Sequence, residues 1–284
     1  MIKKFIKKYV IFLTKKIFSL KYFKSFVNIV NKVQFDSYLK IDLNGQHLKF
    51  INPNHITDWR IKTLKTKEPE TINWIDGFKN DTVFWDIGAN IGQFSIYAAK
   101  KIKNINVISF EPSVFNLEIL ARNININHLN NVSIMPLPVF DKNENNYFSL
   151  SNSDWGGALS NFGTNQNWEG NTMDTVLSYK TFSFNPKSFI TTFNLNYPDY
   201  LKIDVDGVDN IILKSFGHNI KSIKSILIEV NDNFESQRND IESFLNSNNF
   251  KLMKKEQSEL IKRFPKTFHN SYNQIWTNND EKTL

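Results

Sequence analysis

Val83-Phe84-Trp85-Asp86-Ile87-Gly88-Ala89-Asn90-Ile91-Gly92 is the stretch on which the fold turns: a short apolar run, a glycine-bounded turn, then residues with helical character. The glycines let backbone come close to a ligand, and the first N–H groups of the helix face the same point. A strand–turn–helix unit of an open α/β sheet is predicted, with a crevice at the carboxyl end of the strand. The spacing G-x-N-x-G departs from the G-x-G-x-x-G of a dinucleotide site, and no G-x-x-x-x-G-K-[ST] phosphate loop occurs.

The same rhythm continues downstream. Apolar runs predict strands at Thr82–Asp86, Asn106–Glu111, Val132–Val139, Tyr200–Asp204 and Ser225–Val230, and two closing strands at Lys251–Lys255 and Gln274–Thr277. Helices are expected at Gly92–Lys101, Ser113–Asn127, Val208–Phe216 and Phe234–Asn246. Alternating strands and helices imply a mostly parallel seven-stranded sheet with helices on both faces. Glu111 ends the second strand 23 residues past Gly88, where a carboxylate can accept the ribose hydroxyls of an adenosine. Asp86 and Asp141 close the first and third strands, so positions 86, 111 and 141 are expected to outline one nucleoside-shaped crevice. Residues 141–198, rich in Asn, Ser and Gly, are too long for a simple connection and read as a substrate-side insertion. Its Trp155-Gly156-Gly157 and Trp168 have the look of a sugar-stacking or lid loop, or of a surface excursion with anchored aromatics.

Composition narrows the chemistry. The chain has 284 residues, no Cys and 5 His without an H-E-x-x-H pattern, which excludes disulfides, thiolate catalysis and the usual zinc sites. The net charge of +7 is entirely local. Residues 1–35 carry nine Lys and no acid, leaving 26 basic against 28 acidic side chains in the body. A body of that balance does not suit gripping nucleic acid. On a helical wheel Ile2, Ile6, Tyr9, Val10, Leu13, Ile17 and Leu20 share one side, opposite Lys3, Lys4, Lys7, Lys8 and Lys15. Residues 1–35 thus form a basic amphipathic arm, which either lies on an anionic membrane surface or a partner through residues 1–24, or folds its apolar side onto the body. Residues 36–50 read as a hairpin around Asn44-Gly45, the core of an accessory β element over 36–64, and residues 65–284 form the main domain.

With these motifs the chain resembles a class I, Rossmann-like methyltransferase, and specifically the FkbM family. The resemblance rests on Trp85–Gly92, Phe110-Glu111-Pro112, Leu201-Lys202-Ile203-Asp204-Val205-Asp206-Gly207 and Leu227-Ile228-Glu229-Val230, with Glu68-Pro69-Glu70-Thr71 and Trp74 upstream. It implies S-adenosylmethionine as cofactor, held by Asp86, Gly88, Asn90, Gly92 and Glu111, with Asp141, Glu70 and Thr71 as further contacts. It also implies a glycan or lipid-linked glycan as acceptor and a cytoplasmic enzyme, the arm resting on the inner membrane face. The chain departs from the family's common Glu-Gly-x-Glu in having Asp206-Gly207-Val208-Asp209.

Methyl transfer to a hydroxyl needs alignment and the removal of one proton. Asp204, Asp206 and Glu229 are the candidate bases and Lys202 the orienting cation. Strand alternation would place Lys202, Asp204 and Asp206 on one side if the strand stayed extended that far. The D-x-D with Glu229 has oxygen ligands that suit Mg²⁺, but no metal site is assigned. The competing classes are an NAD(P)-dependent sugar oxidoreductase and a non-catalytic membrane- or partner-binding scaffold on the same fold. The sequence carries no mark of oligomeric state.

Overall fold

The computed structural model describes residues 2–18, 20–164, 166–263 and 269–280, with the backbone alone for 2–7, 21 and 262. In chain order the elements are α1 (Ile2–Phe18), α2 (Lys21–Asp36), β1 (Tyr38–Leu43), β2 (Gln46–Ile51), α3 (His55–Lys67), α4 (Pro69–Asp76), β3 (Val83–Ile87), α5 (Gln93–Lys101), β4 (Asn106–Phe110), α6 (Val114–Ile126) and β5 (Val132–Met135). There follow β6 (Glu144–Leu150), β7 (Ser160–Phe162), β8 (Leu177–Ser183), α7 (Pro186–Phe193), β9 (Tyr200–Ile203), α8 (Asp209–Ser215), β10 (Ser225–Asn231), α9 (Glu235–Ser247), β11 (Phe250–Glu256) and β12 (Ser271–Asn278).

Seven strands form the main sheet in the order β11-β12-β10-β9-β3-β4-β5. β3, β4, β5, β9 and β10 run parallel, and β12 runs antiparallel to both of its neighbours. Side chains alternate across it. Phe84, Val107, Tyr200 and Leu227 face a core with α3–α6 and the β1–β2 hairpin, whereas Trp85, Ile108, Leu201 and Ile226 face one that includes residues of α8 and α9. Phe84 and Leu201 are wholly buried, each worth roughly 1.5–3 kcal/mol of transfer free energy. Sheets covered on both faces require such continuous apolar strands.

β5 stops at Met135, short of the expected Val139, because Pro136 and Pro138 supply no N–H to a ladder. Asn44 and Gly45 both adopt left-handed conformations (φ 46° and 82°) and set the β1–β2 register. That hairpin is tied to the main domain: Asn123 and Asn127 accept the Ile51 and Lys49 N–H groups at 2.7 and 3.0 Å. The expected boundary after residue 64 falls inside α3, whose Ile61 and Leu64 belong to the same core. Within 141–198, β7, β6 and β8 form a separate antiparallel sheet in that order.

The arm is two helices, with Leu20 extended ahead of α2. Of the residues assigned to its apolar side, Tyr9, Val10, Leu13, Ile17 and Leu20 are exposed, as are Phe12, Tyr22, Phe26, Ile29 and Val33. Folding the apolar side onto the body is therefore not what the structure shows. The end of α2 is rooted there, where Phe35 packs edge-on against Trp155 at 5.3 Å and under the Arg122 guanidinium at 4.4 Å. The side chains of Ile2, Lys3, Lys4, Ile6 and Lys7 lie outside the described residues. Among the described residues no helix is long and apolar enough to cross a membrane.

Candidate active site

A cavity of about 330 Å³ opens at the carboxyl ends of β3, β4, β9 and β10, within the range of small-molecule sites. Gly88 forms its floor. At φ +87° it takes a conformation that suits glycine, and a Cβ there would stand 2.0 Å from the Asp204 carbonyl oxygen. The turn is fixed from below, where the Gly88 and Ala89 N–H groups both donate to the Phe110 carbonyl at 3.0 Å. Ile87, Phe110, Val139, Phe148, Val208 and Ile212 give the cavity an apolar wall.

Glu111 marks one end. Its carboxylate accepts the Asn90 N–H at 2.7 Å and the Ser113 N–H at 2.8 Å. Burial nevertheless pushes its pKa up to about 7, the two N–H groups offsetting only part of the desolvation. Asn90 also donates from Nδ2 to the Gly157 carbonyl at 2.7 Å, and Asn116 does so at 3.0 Å. The Gly156–Leu159 strap of the insertion is thereby stitched to the glycine turn. It is stitched again at Asp206, which accepts the Leu159 N–H at 2.7 Å.

Asp204 and Asp206 follow β9. Lys202, buried with its ammonium over the Phe94 ring at 5.3 Å, donates to Asp204 at 2.7 Å and lies 4.0 Å from Asp86. Burial works against the Lys202 charge, but Asp204 and Asp86 outweigh it and hold its pKa above the usual lysine value. Burial likewise opposes the Asp204 charge, yet Lys202 and Lys67 hold its pKa low. Asp206 does not reach the cavity by strand alternation, because β9 ends at Ile203 and Asp206 is left-handed (φ 58°). Asp209 holds this turn, accepting the Val205 and Gly207 N–H groups at 3.1 and 3.0 Å. Gly207 has φ +111°, and a Cβ there would meet the Asn167 carbonyl at 2.6 Å. Burial first, and the Asp204 charge second, push Asp206 up to about 6, while burial pushes Asp209 to about 7. Glu229 lines the cavity without a hydrogen-bond partner among the described residues, and burial with three neighbouring aspartates raises its pKa well above the usual range.

Several lining residues were not foreseen. Trp59, Arg60, Lys67 and Glu68 come from α3 and its end, and Glu256, Ser271 and Asn273 from β11 and β12. Two signals bear on this edge, the Glu68-Pro69-Glu70-Thr71 motif and Asn54, which with Thr57 forms a capping box that starts α3. Lys67 donates to Glu68 at 2.5 Å, and the buried Glu70 accepts from Asn273 at 2.7 Å.

Of the residues expected at the site, Gly88, Asn90, Glu111, Glu70, Lys202, Asp204, Asp206 and Glu229 line one cavity. Asp86 does not: it lies beneath the cavity, accepting from Ser95 Oγ at 2.6 Å and flanking Lys202. Thr71 is buried, 3.3 Å from Glu68, and Gly92 caps α5 against Leu120. Asp141 sits six residues past the end of the shortened β5 and is not among the lining residues. Trp168 faces the cavity, whereas Trp155 is an anchor whose indole N–H donates to Glu118 at 3.2 Å. Among the described residues no cluster of three His, Asp or Glu side chains could hold a metal ion.

The mostly parallel seven-stranded sheet, with β12 its antiparallel member, thus carries a glycine turn that faces a strand-end glutamate across one cavity. A family model described as the methyltransferase FkbM domain matches residues 86–252, and the chain belongs to that family. The hexuronic acid methyltransferase AglP of Haloferax volcanii is 23% identical over 189 residues, covering 66% of this chain and 72% of the relative. Among solved structures, a precorrin-6y C5,15-methyltransferase from Geobacter metallireducens aligns over 74% of this chain and 88% of its own, at 15% identity and TM-score 0.44. TYW2 from M. jannaschii, in complex with AdoMet, covers 85% of this chain and 86% of its own, at 14% identity and TM-score 0.40.

Proposed function

We propose that the enzyme is an S-adenosylmethionine-dependent O-methyltransferase acting on a sugar hydroxyl of a cell-surface polysaccharide or its lipid-linked precursor. The observation that carries this reading is the close approach of Gly88 to the Asp204 carbonyl, which leaves an open cradle between Glu111 and the aspartates of the β9 turn. The residues fit the cofactor. Glu111 has lone pairs left for ribose hydroxyls, Gly88 and Asn90 line the path of the amino-acid end, and the apolar wall suits an adenine. When bound, S-adenosylmethionine supplies an electrophilic methyl group on a sulfonium that leaves as a neutral thioether.

The three acids divide by ionisation. Asp204 is tied to Lys202 and holds its charge, so it orients and is a poor proton acceptor. Glu229, whose pKa is raised by burial and by the neighbouring aspartates, serves as a hydrogen-bonding partner for acceptor hydroxyls. Asp206, at about 6, is the acid whose ionised form is available near neutrality with appreciable basicity. We assign it the proton of the acceptor hydroxyl as the oxygen attacks. The Gly156–Leu159 strap excludes water from above.

A sugar acceptor is supported by the hexuronic acid methyltransferase among the relatives and by Trp168 at the cavity. The exposed apolar side chains and lysines of α1 and α2 support docking on an anionic inner membrane face, where a lipid-linked acceptor would be met. Mass analysis of surface glycans from cells with and without the protein tests the acceptor. One sugar is expected to lose a methylene mass, and unchanged glycans would refute the assignment.

A further inference from the structure

Three cations line the cavity among the described residues, and two are already paired: Lys202 with Asp204 at 2.7 Å and Lys67 with Glu68 at 2.5 Å. Arg60 is different. Its Nε donates to the Gly156 carbonyl at 2.6 Å, and among the described residues its two terminal nitrogens have neither a hydrogen-bond nor an ion-pair partner. A half-buried guanidinium with its fork turned to a cavity is matched by a planar anion, a carboxylate above all.

The position of the fork selects which carboxylate. The Arg60 carbonyl accepts from Gln93 Nε2 at 2.7 Å, and Gln93 is the first residue of α5, directly after the glycine turn. Gly156, held by Arg60, precedes Gly157, held by Asn90 of that turn. Arg60 is thus fixed to both sides of the glycine turn, and the carboxylates whose charge it feels are Glu68, Asp204, Asp206 and Glu111. We propose that Arg60 anchors the carboxylate at the amino-acid end of S-adenosylmethionine, while the acids beside it receive the ammonium of the same group. The inference rests on the cofactor reading given above.

Calorimetry on the full-length protein tests it with two ligands that differ only in this carboxylate: S-adenosylhomocysteine and its decarboxylated analogue. Wild type is expected to bind S-adenosylhomocysteine about tenfold or more tightly than the analogue, since charge-assisted hydrogen bonds are lost. Arg60→Gln erases that preference, weakening the first ligand and leaving the second within about twofold. Arg60→Lys, which keeps the charge and loses the fork, falls between, and it serves if the glutamine variant does not fold. Equal affinity of wild type for both ligands overturns the assignment, as does a preference that survives in Arg60→Gln. Unchanged S-adenosylhomocysteine affinity with a raised acceptor KM moves Arg60 to the acceptor side and equally overturns it. Wild type that binds neither nucleoside brings down the cofactor reading itself, and this inference with it.

Discussion

The carbonyl oxygen of Asp204 lies 2.0 Å from where a Cβ on Gly88 would sit, so the glycine turn and the β9 turn are in direct contact. No substitution at residue 88 preserves both. Gly88→Ala must shift backbone and hold a left-handed alanine, and a loss of roughly 2–4 kcal/mol in stability is expected. Urea unfolding measures the loss, and titration of the folded fraction with S-adenosylhomocysteine should find binding abolished.

Asp206 sets an expected pH dependence. Its carboxyl is pushed up to about 6 by burial and by Asp204, so the competent ionised form accumulates as pH rises through that value. The rate constant kcat should climb across this interval. Asp206→Asn should lower kcat by about 10²–10⁴-fold and remove the acidic limb. A variant with the wild-type profile would relieve Asp206 of the role of base.

Stability should run the other way. Glu111, Asp206 and Asp209 are held near 7, 6 and 7 in the fold, above their ordinary values. The native state keeps protons that the unfolded chain has already released. Stability therefore falls as pH rises from about 4 to 7. The melting temperature of the protein alone should be higher near about pH 5 than near about pH 7.5, and its reversal would mean that these acids are ionised in the fold.

The arm gives a separable readout. Removal of residues 1–33 leaves Phe35 beside Trp155 and takes away Tyr9, Phe12, Leu13, Phe26 and Val33 together with all nine lysines of the arm. Sedimentation with anionic vesicles should be lost, while affinity for S-adenosylhomocysteine stays within about twofold. Equal sedimentation of both forms would assign the arm some other role.

Much of this was legible in the sequence because strand ends carry their chemistry locally. Trp85–Gly92, Glu111 and Lys202–Gly207 each read as strand then turn, and parallel pairing brings the ends together. What failed had local causes of its own. Asp141 follows a strand that Pro136 and Pro138 cut short, and Asp206 owes its place to a left-handed turn that alternation does not foresee. Asp86 pairs with Ser95 and Lys202 below the floor, which depends on how α5 packs. Arg60, Glu68 and Asn273 reach the cavity through contacts as distant as Glu70 with Asn273, for which no periodicity leaves a trace.

Calorimetric titration of the purified protein with S-adenosylhomocysteine, repeated with Glu111→Ala, decides whether the crevice at Glu111 holds the cofactor. One-site binding by the wild type, weakened about tenfold or more in the variant, is the expected result, since two or more charge-assisted hydrogen bonds are lost. A wild type that does not bind, or a Glu111→Ala variant that binds as tightly, would contradict it.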